Sequence, residues 1–70
     1  MTFEKAMKKA DRGVKVRHPG MNERWGIVTM GDQWIQISTT GAHFVYFASV
    51  ADRERRDWCV MKSEHATLSL

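Results

Sequence analysis

The sequence predicts an α+β fold, in which an N-terminal helix packs on a small antiparallel sheet and a short second helix precedes the last strand. Three observations predict it. Apolar residues recur at helical spacing at the start of the chain, short β-prone runs follow, and glycine-containing turns separate these runs. A chain of 70 residues has room for one domain. We expect this domain to span residues 1–62, with a loose tail over residues 63–70.

The opening segment has the pattern of an amphipathic helix. Thr2 is a suitable N-cap, and Gly13 can end the helix because a glycine adopts the left-handed conformation at no steric cost. Four apolar side chains between them share one stripe, namely Phe3, Ala6, Met7 and Ala10.

Four β-prone runs follow, at residues 14–17, 24–30, 33–38 and 44–48. Gly31 and Asp32 suit a two-residue hairpin turn between the second and third runs. Residues 39–42 are expected to form a loop.

The last third of the chain predicts one short helix and one strand. Ser49 can cap a helix over residues 50–56, with Asp52 in its first turn. The final strand, at residues 58–61, places Cys59 between two apolar residues, so we expect a buried thiol.

Cysteine usage and hydropathy restrict the class of protein. A single cysteine excludes an internal disulfide and every zinc site built from paired cysteines. Since small domains without such staples are often reinforced by association, we expect a homo-oligomer. The chain shows no signal peptide and no apolar run long enough to span a bilayer, which predicts a protein of the cytoplasm without membrane contact.

The net charge of +3 is spread unevenly. Six basic and two acidic side chains give residues 1–17 a charge of +4, whereas five basic and six acidic side chains give residues 18–70 a charge of −1. A basic first quarter could attract phosphate, in nucleic acid or in a small nucleotide. The alternative is a solvated helix face.

The residue pattern argues against catalysis. His18, His43 and His65 lie far apart, with no ligand partner at helical spacing. Nothing close in sequence activates Cys59, and no glycine-rich phosphate loop is present. We therefore expect no enzyme activity, no metal and no cofactor.

Aromatic residues are concentrated in the predicted strands: Trp25, Trp34, Phe44, Tyr46, Phe47 and Trp58. Phe44 and Tyr46 share one face of their strand, and Val45 and Phe47 share the other. One protomer of this size cannot bury both faces, so an aromatic-rich second face predicts a partner subunit or a flat ligand. Basic residues lie among these positions and could pair with phosphate: Arg17, Arg24 and His43.

The order of several short motifs resembles a family of small phage-encoded domains that includes the Thoeris anti-defence proteins. The shared positions are Phe3 and Ala6, then Gly13, Lys15 and Val16, and the closing Asp57-Trp58-x-Val60. The turn Gly20-Met21-Asn22 fits the Gly-Trp-Asn turn of the family, with Met21 where tryptophan is usual. The match covers most of residues 1–62. It implies a small α+β domain that forms homo-oligomers, as a dimer or tetramer. Members of this type sequester cyclic ADP-ribose-like or other cyclic nucleotide signals between protomers, and other members inhibit CRISPR systems.

The leading hypothesis is a non-enzymatic phage anti-defence protein that binds and sequesters a nucleotide-derived immune signal in the host cytoplasm. Its candidate ligand-binding residues supply polar pairing and stacking, and they are Arg17, Asn22, Arg24, Trp25 and Asp57. Trp58 is expected in the core, with Asp57 fixing the turn before it. The alternatives are a protein-binding inhibitor of a host defence complex, such as an anti-CRISPR, a nucleic-acid-binding domain that uses the basic N-terminal segment, and a domain of purely structural role.

Overall fold

The computed structural model describes residues 1–61, and its elements follow the predicted order. The helices are α1 (Phe3–Asp11) and α2 (Val50–Glu54). The strands are β1 (Val16–Arg17), β2 (Trp25–Met30), β3 (Gln33–Ser38), β4 (His43–Val45) and β5 (Cys59–Val60). They form one antiparallel sheet of order β4-β3-β2-β1-β5, which confirms the α+β class. The predicted tail, residues 63–70, lies outside the described residues.

Helix α1 forms as its sequence pattern predicts. The Thr2 hydroxyl accepts a hydrogen bond from the Lys5 amide at 3.3 Å, and Gly13 follows the C-cap with φ +88°. The four residues of the apolar stripe are all buried. Of the helices within residues 1–61, none has the length and apolar character needed to cross a bilayer.

The β2–β3 hairpin is the longest paired segment of the sheet. Gly31 takes φ +66° at the first central position of the turn, a conformation that favours glycine. The register runs from Met30 opposite Gln33 to Trp25 opposite Ser38. The predicted turn and both strand positions are therefore confirmed.

The two faces of the sheet carry different side chains, because cross-strand partners share a face and neighbours along a strand alternate. The face under α1, which we call the helix side, carries the core residues Val16, Ile27, Tyr46 and Trp58 and the partly buried Trp34. The opposite face, which we call the outer face, carries the aliphatic residues Val28, Ile35, Ile37 and Val45. The prediction of an aromatic-rich second face was wrong, since the paired aromatic residues point to the helix side.

Five elements are shorter than predicted, namely β1, β2, β4, α2 and β5. Strand β1 covers residues 16–17 of the predicted 14–17, and β2 begins one residue later than predicted. After β4, the Tyr46 amide still donates to the Trp34 carbonyl at 2.8 Å, and the chain then turns into the N-cap of α2. Helix α2 ends at Glu54, since Arg55 is extended. Strand β5 covers two residues, beyond which the Met61 amide donates to the Lys15 carbonyl at 2.8 Å.

The prediction of a buried Cys59 was wrong. Trp58 is 1% exposed on the helix side, so the alternation of the strand turns the next side chain to the outer face. Strand β5 is also an edge of the sheet, with a neighbour on one flank only. The thiol is therefore exposed.

Candidate functional site

The first of two clusters that combine polar and aromatic groups surrounds Asp52 in the first turn of α2. Its Oδ1 lies 3.0 Å from Nε2 of His18, and its Oδ2 accepts a 2.8 Å hydrogen bond from the Tyr46 hydroxyl. The Trp58 indole N–H donates to the Asp52 carbonyl at 3.0 Å. We call these four residues the Asp52 network. It connects the first turn of α2 to the residues directly after β1 and β4 and to the residue directly before β5.

Both ring nitrogens of His18 are used inside the fold. The Gly20 amide donates to Nδ1 at 3.0 Å, which leaves Nε2 to carry the proton that is donated to Asp52. The ring also packs edge-on against Trp58 at 4.7 Å between centroids. This carboxylate–histidine pair resembles part of a catalytic triad, but its second nitrogen is bonded to backbone rather than to a nucleophile. The pair acts as a structural tie.

Gly20 makes the close approach at His18 possible. A Cβ at position 20 would lie 2.9 Å from Nη1 of Arg55 and 3.0 Å from the His18 ring. The Arg55 guanidinium, at the end of a flexible side chain, could move away, but the His18 ring would have to shift by a few tenths of an ångström. Glycine at position 20 therefore leaves the His18 ring in its hydrogen-bonded position.

Within the Asp52 network, the pKa values of the Tyr46 phenol and the Asp52 carboxyl shift in opposite directions. Burial raises the pKa of Tyr46, and its hydrogen bond to the Asp52 carboxylate raises it further. Burial also acts to raise the pKa of Asp52, but hydrogen bonds from Tyr46, the Ser49 backbone and His18 outweigh it and hold that pKa below its ordinary value of 3.8. At neutral pH the carboxylate is thus charged and the phenol neutral.

Among the five predicted ligand-binding residues, Arg17 is used to hold the β1–β2 connection. Its Nη2 donates to the Met21 carbonyl at 3.1 Å, and its Nε donates to the Trp25 carbonyl at 3.4 Å. The guanidinium therefore fixes the backbone on both sides of the turn that leads into β2.

Asn22 and Asp57 are also engaged within the fold. The Asn22 side-chain oxygen accepts from the Arg24 amide at 3.0 Å, which closes an Asx turn. Asp57 accepts two hydrogen bonds from Arg55, at 2.9 Å and 2.7 Å, and the charged donor lowers the pKa of that carboxyl. Arg24 is exposed, with no side-chain hydrogen bond to another residue of the 1–61 segment.

The second cluster is a stacked pair of aromatic rings, which we call the ring pair. Trp25 of β2 and Phe44 of β4 lie 5.7 Å apart between centroids, with 26° between their planes. They meet across β3, where Ser38 opposite Trp25 has only a small side chain. Trp25 is partly buried, but Phe44 is 61% exposed. The ring pair thus presents a flat apolar surface at the β4 side of the sheet.

Phe44 was predicted to lie in an aromatic face but was not among the five candidate ligand-binding residues, and the Asp52 network was not predicted at all. The ring pair depends on the register of three strands, which the sequence of any one strand does not contain. Within the network, His18 and Asp52 are 34 positions apart, so no local spacing indicates their contact. The one available signal was Asp52 in the first turn of a capped helix.

A shallow groove of about 460 Å³ lies between the start of α1 and the end of α2. Its lining is Thr2, Phe3, Glu4 and residues 53–56. Both charge signs are present, and the Arg53 guanidinium lies 5.9 Å from the centre of the Phe3 ring, which occupies one wall.

No group of three His, Cys, Asp or Glu side chains in residues 1–61 is placed to hold a metal ion.

No family model, no curated protein and no solved structure matches this chain. The functional interpretation therefore depends on the chain's own residues and on their geometry.

Proposed function

We propose that this chain is a non-enzymatic phage anti-defence protein that sequesters a nucleotide-derived immune signal, of cyclic ADP-ribose-like or cyclic oligonucleotide type, in the host cytoplasm. In this proposal it acts as a homo-oligomer and holds the signal without degrading it. The observation that carries the proposal is the ring pair, in which an exposed Phe44 stacks on Trp25.

The ring pair suits the base of a nucleotide. Each base has a flat π face, and stacking on an aromatic side chain contributes about 1–3 kcal/mol per base. A ring that is 61% exposed leaves surface available for such a partner, whereas the rings of the core do not. Trp25 supports Phe44 from behind and restricts its movement, so less conformational entropy is lost on binding.

Arg24 is the residue best suited to phosphate at this end of the sheet. It directly precedes Trp25, and the Thr39 amide fixes its carbonyl with a 3.0 Å hydrogen bond. Because its guanidinium is exposed and always charged, it can pair with a phosphate oxygen. Of the five predicted residues, Arg24 and Trp25 therefore support ligand binding most directly, whereas Arg17 and Asn22 hold the connection that leads into β2 and Asp57 pairs with Arg55.

Association of copies is proposed to occur through β4, an edge strand. Phe44 pairs with Gln36, so its amide and carbonyl face β3, and those of His43 and Val45 face outward. The ten residues 42–51 carry no Asp, Glu, Lys or Arg, so two copies would meet without like-charge repulsion. Phe47 is 85% exposed and Val50 is 71% exposed beside this edge. Such an unprotected apolar edge favours strand pairing with a second copy.

The hydrogen bonds of the side chains that could act in catalysis support a binding role without catalysis. Both nitrogens of His18 and both oxygens of Asp52 have partners inside the fold. Cys59 is exposed, and no hydrogen bond within residues 1–61 joins its thiol to a general base.

Isothermal titration calorimetry tests the ligand. The panel consists of cyclic ADP-ribose isomers and cyclic di- and trinucleotides. We expect saturable binding of at least one member by the wild type, and a loss of at least tenfold in affinity for Phe44→Ala, in line with the removal of one stacking partner. The recovered ligand should be chemically unchanged.

The matched control is Met30→Ala, which removes an exposed apolar side chain at the opposite end of β2 from Trp25, outside both the ring pair and the β4 edge. It should keep the ligand affinity of the wild type. A flat response of the wild type to the whole panel would contradict the proposal. Recovery of a stoichiometric host protein without a small ligand would favour the alternative, an inhibitor of a defence complex.

A further inference from the structure

The outward face of α1 and the C-cap residue Arg12 together carry four cations. At helical spacing Lys5, Lys8, Lys9 and Arg12 fall on the side of the helix opposite the buried stripe, and all four are exposed. We call them the cation ridge. No carboxylate of residues 1–61 lies within salt-bridge distance of any of them, since the ion pairs in that segment are His18–Asp52 and Arg55–Asp57.

The two acidic residues of α1 do not neutralise this ridge. Glu4 lines the groove beside α2. Asp11 accepts a 2.5 Å hydrogen bond from the Thr29 hydroxyl, which holds its carboxylate toward the sheet. Both lie on one flank of the helix, so the outermost surface has a single sign of charge.

The contribution of cations to helix stability explains some residues of the ridge but not Lys5. Lys8 and Lys9 are in the last turn, where cations interact favourably with the helix dipole. Lys5 is in the first half of the helix and gains nothing from the dipole. It also lies three and four positions from Lys8 and Lys9, and like charges at this spacing oppose helix formation. Within residues 1–61, no ion pair offsets this like-charge repulsion at Lys5.

We infer that the cation ridge is a second binding site, which contacts the phosphate backbone of nucleic acid without reading its sequence. The ridge extends over about 10 Å from position 5 to position 12, and duplex DNA carries about six phosphates over that length of its axis. A single convex helix also fits the major groove. Lysine-rich contacts of this kind go to phosphate oxygens and carry no base specificity.

A linear polyanion fits the ridge better than an anionic membrane does. The apolar stripe of α1 is buried in the core, so the helix has no apolar face to insert between lipids. A planar surface would also bring the carboxylate of Glu4 on the flank toward lipid phosphates. A nucleic acid strand can follow the ridge and avoid that flank.

Fluorescence anisotropy with a labelled random-sequence 20-bp duplex tests the inference. The protein should bind the duplex, and its affinity should fall steeply as salt rises from about 50 to 200 mM. In the variant Lys8→Gln with Arg12→Gln, the slope of log K against log salt should decrease in magnitude by about 1.8, because two phosphate contacts are lost.

The matched control is Lys15→Gln with Arg56→Gln, which removes the same charge from exposed positions off the ridge. It should keep a slope close to the wild-type value. An equal change in both variants would overturn the inference, since only net charge would then matter. Binding to vesicles with anionic lipid but not to the duplex would also overturn it.

The inference is independent of the proposed function. Phe44→Ala should keep its affinity for the duplex, since the ring pair and the ridge are different surfaces. Loss of nucleotide-signal binding with retained duplex binding would affect the first proposal alone, and the reverse result would affect the second alone.

Discussion

The Asp52 network and the ring pair both join an aromatic residue of the β4 segment to a distant part of the chain, but they differ in what they leave unsatisfied. In the network, the carboxylate, the imidazole and the phenol hydroxyl all have partners. In the ring pair, one face of Phe44 remains available to solvent. A cluster that satisfies its own groups contributes to stability, whereas a cluster that is left open can contribute to binding.

The largest expected effect follows from removing the carboxylate at the centre of the network. Asp52→Ala leaves the Tyr46 hydroxyl and the His18 Nε2–H without their acceptor in a poorly solvated site. Each such orphaned group costs about 1–3 kcal/mol, so the free energy of unfolding should fall by about 2–4 kcal/mol. Urea unfolding followed by tryptophan fluorescence measures this.

The control for this variant is Glu23→Ala, which removes the same charge from an exposed loop residue. Its free energy of unfolding should stay within about 0.5 kcal/mol of the wild type. If both variants lose the same stability, the network is not a structural tie. Asp52→Asn should fall between the two, because its side-chain oxygen can still accept one hydrogen bond.

A smaller effect is expected from the phenol of Tyr46, as a change in its titration. Its pKa is raised in the folded state, so its stabilising contribution is fully present below the unfolded value of 10.0 and is lost as the pH rises through the higher folded value. Because the chain contains one tyrosine, tyrosinate absorbance reports this group alone. The midpoint should lie above 10 in native protein and move to about 10 in denaturant.

Tyr46→Phe provides the matching stability measurement. The ring remains and one hydrogen bond is lost, so we expect a decrease of about 1 kcal/mol near pH 7. The stability difference between wild type and variant should shrink at strongly alkaline pH. A native tyrosinate midpoint equal to the one in denaturant would show that the phenol is not held by Asp52.

The smallest effect on stability is expected at the ring pair. Phe44→Ala removes one stacked contact from a surface that is already mostly solvated, so the free energy of unfolding should fall by less than about 1 kcal/mol. The same variant should show the loss of ligand affinity described above. A stability loss as large as that of Asp52→Ala would mean that the ring pair belongs to the core, and the contrast between the two clusters would disappear.

The local parts of this fold were readable from the sequence, and the long-range parts were not. The stripe of α1, its cap at Thr2 and the hairpin turn at Gly31 each depend on spacings of a few residues, and each was predicted. The prediction of a buried Cys59 was wrong because two apolar neighbours indicate a strand but do not show which face of that strand meets the helix.

The candidate site was predictable in kind but not in composition. Aromatic and basic residues at the start of β2 indicated stacking and phosphate pairing, and Trp25 and Arg24 remain candidates for these roles. Arg17 and Asn22 also have polar side chains that suit a ligand, but these side chains form hydrogen bonds within the β1–β2 connection. Only the folded backbone shows which polar groups already have partners.

The exposed thiol of Cys59 is a labelling site from which a distance between two associated copies can be measured. Strand β5 and strand β4 form opposite edges of the five-stranded sheet, and the chain contains one cysteine. Two copies joined through β4 would make a ten-stranded sheet with one thiol at each far rim, about 43 Å apart at the usual spacing between strands. Spin labels on Cys59 would then report a single long distance, and packing of the outer faces against each other would bring the labels much closer.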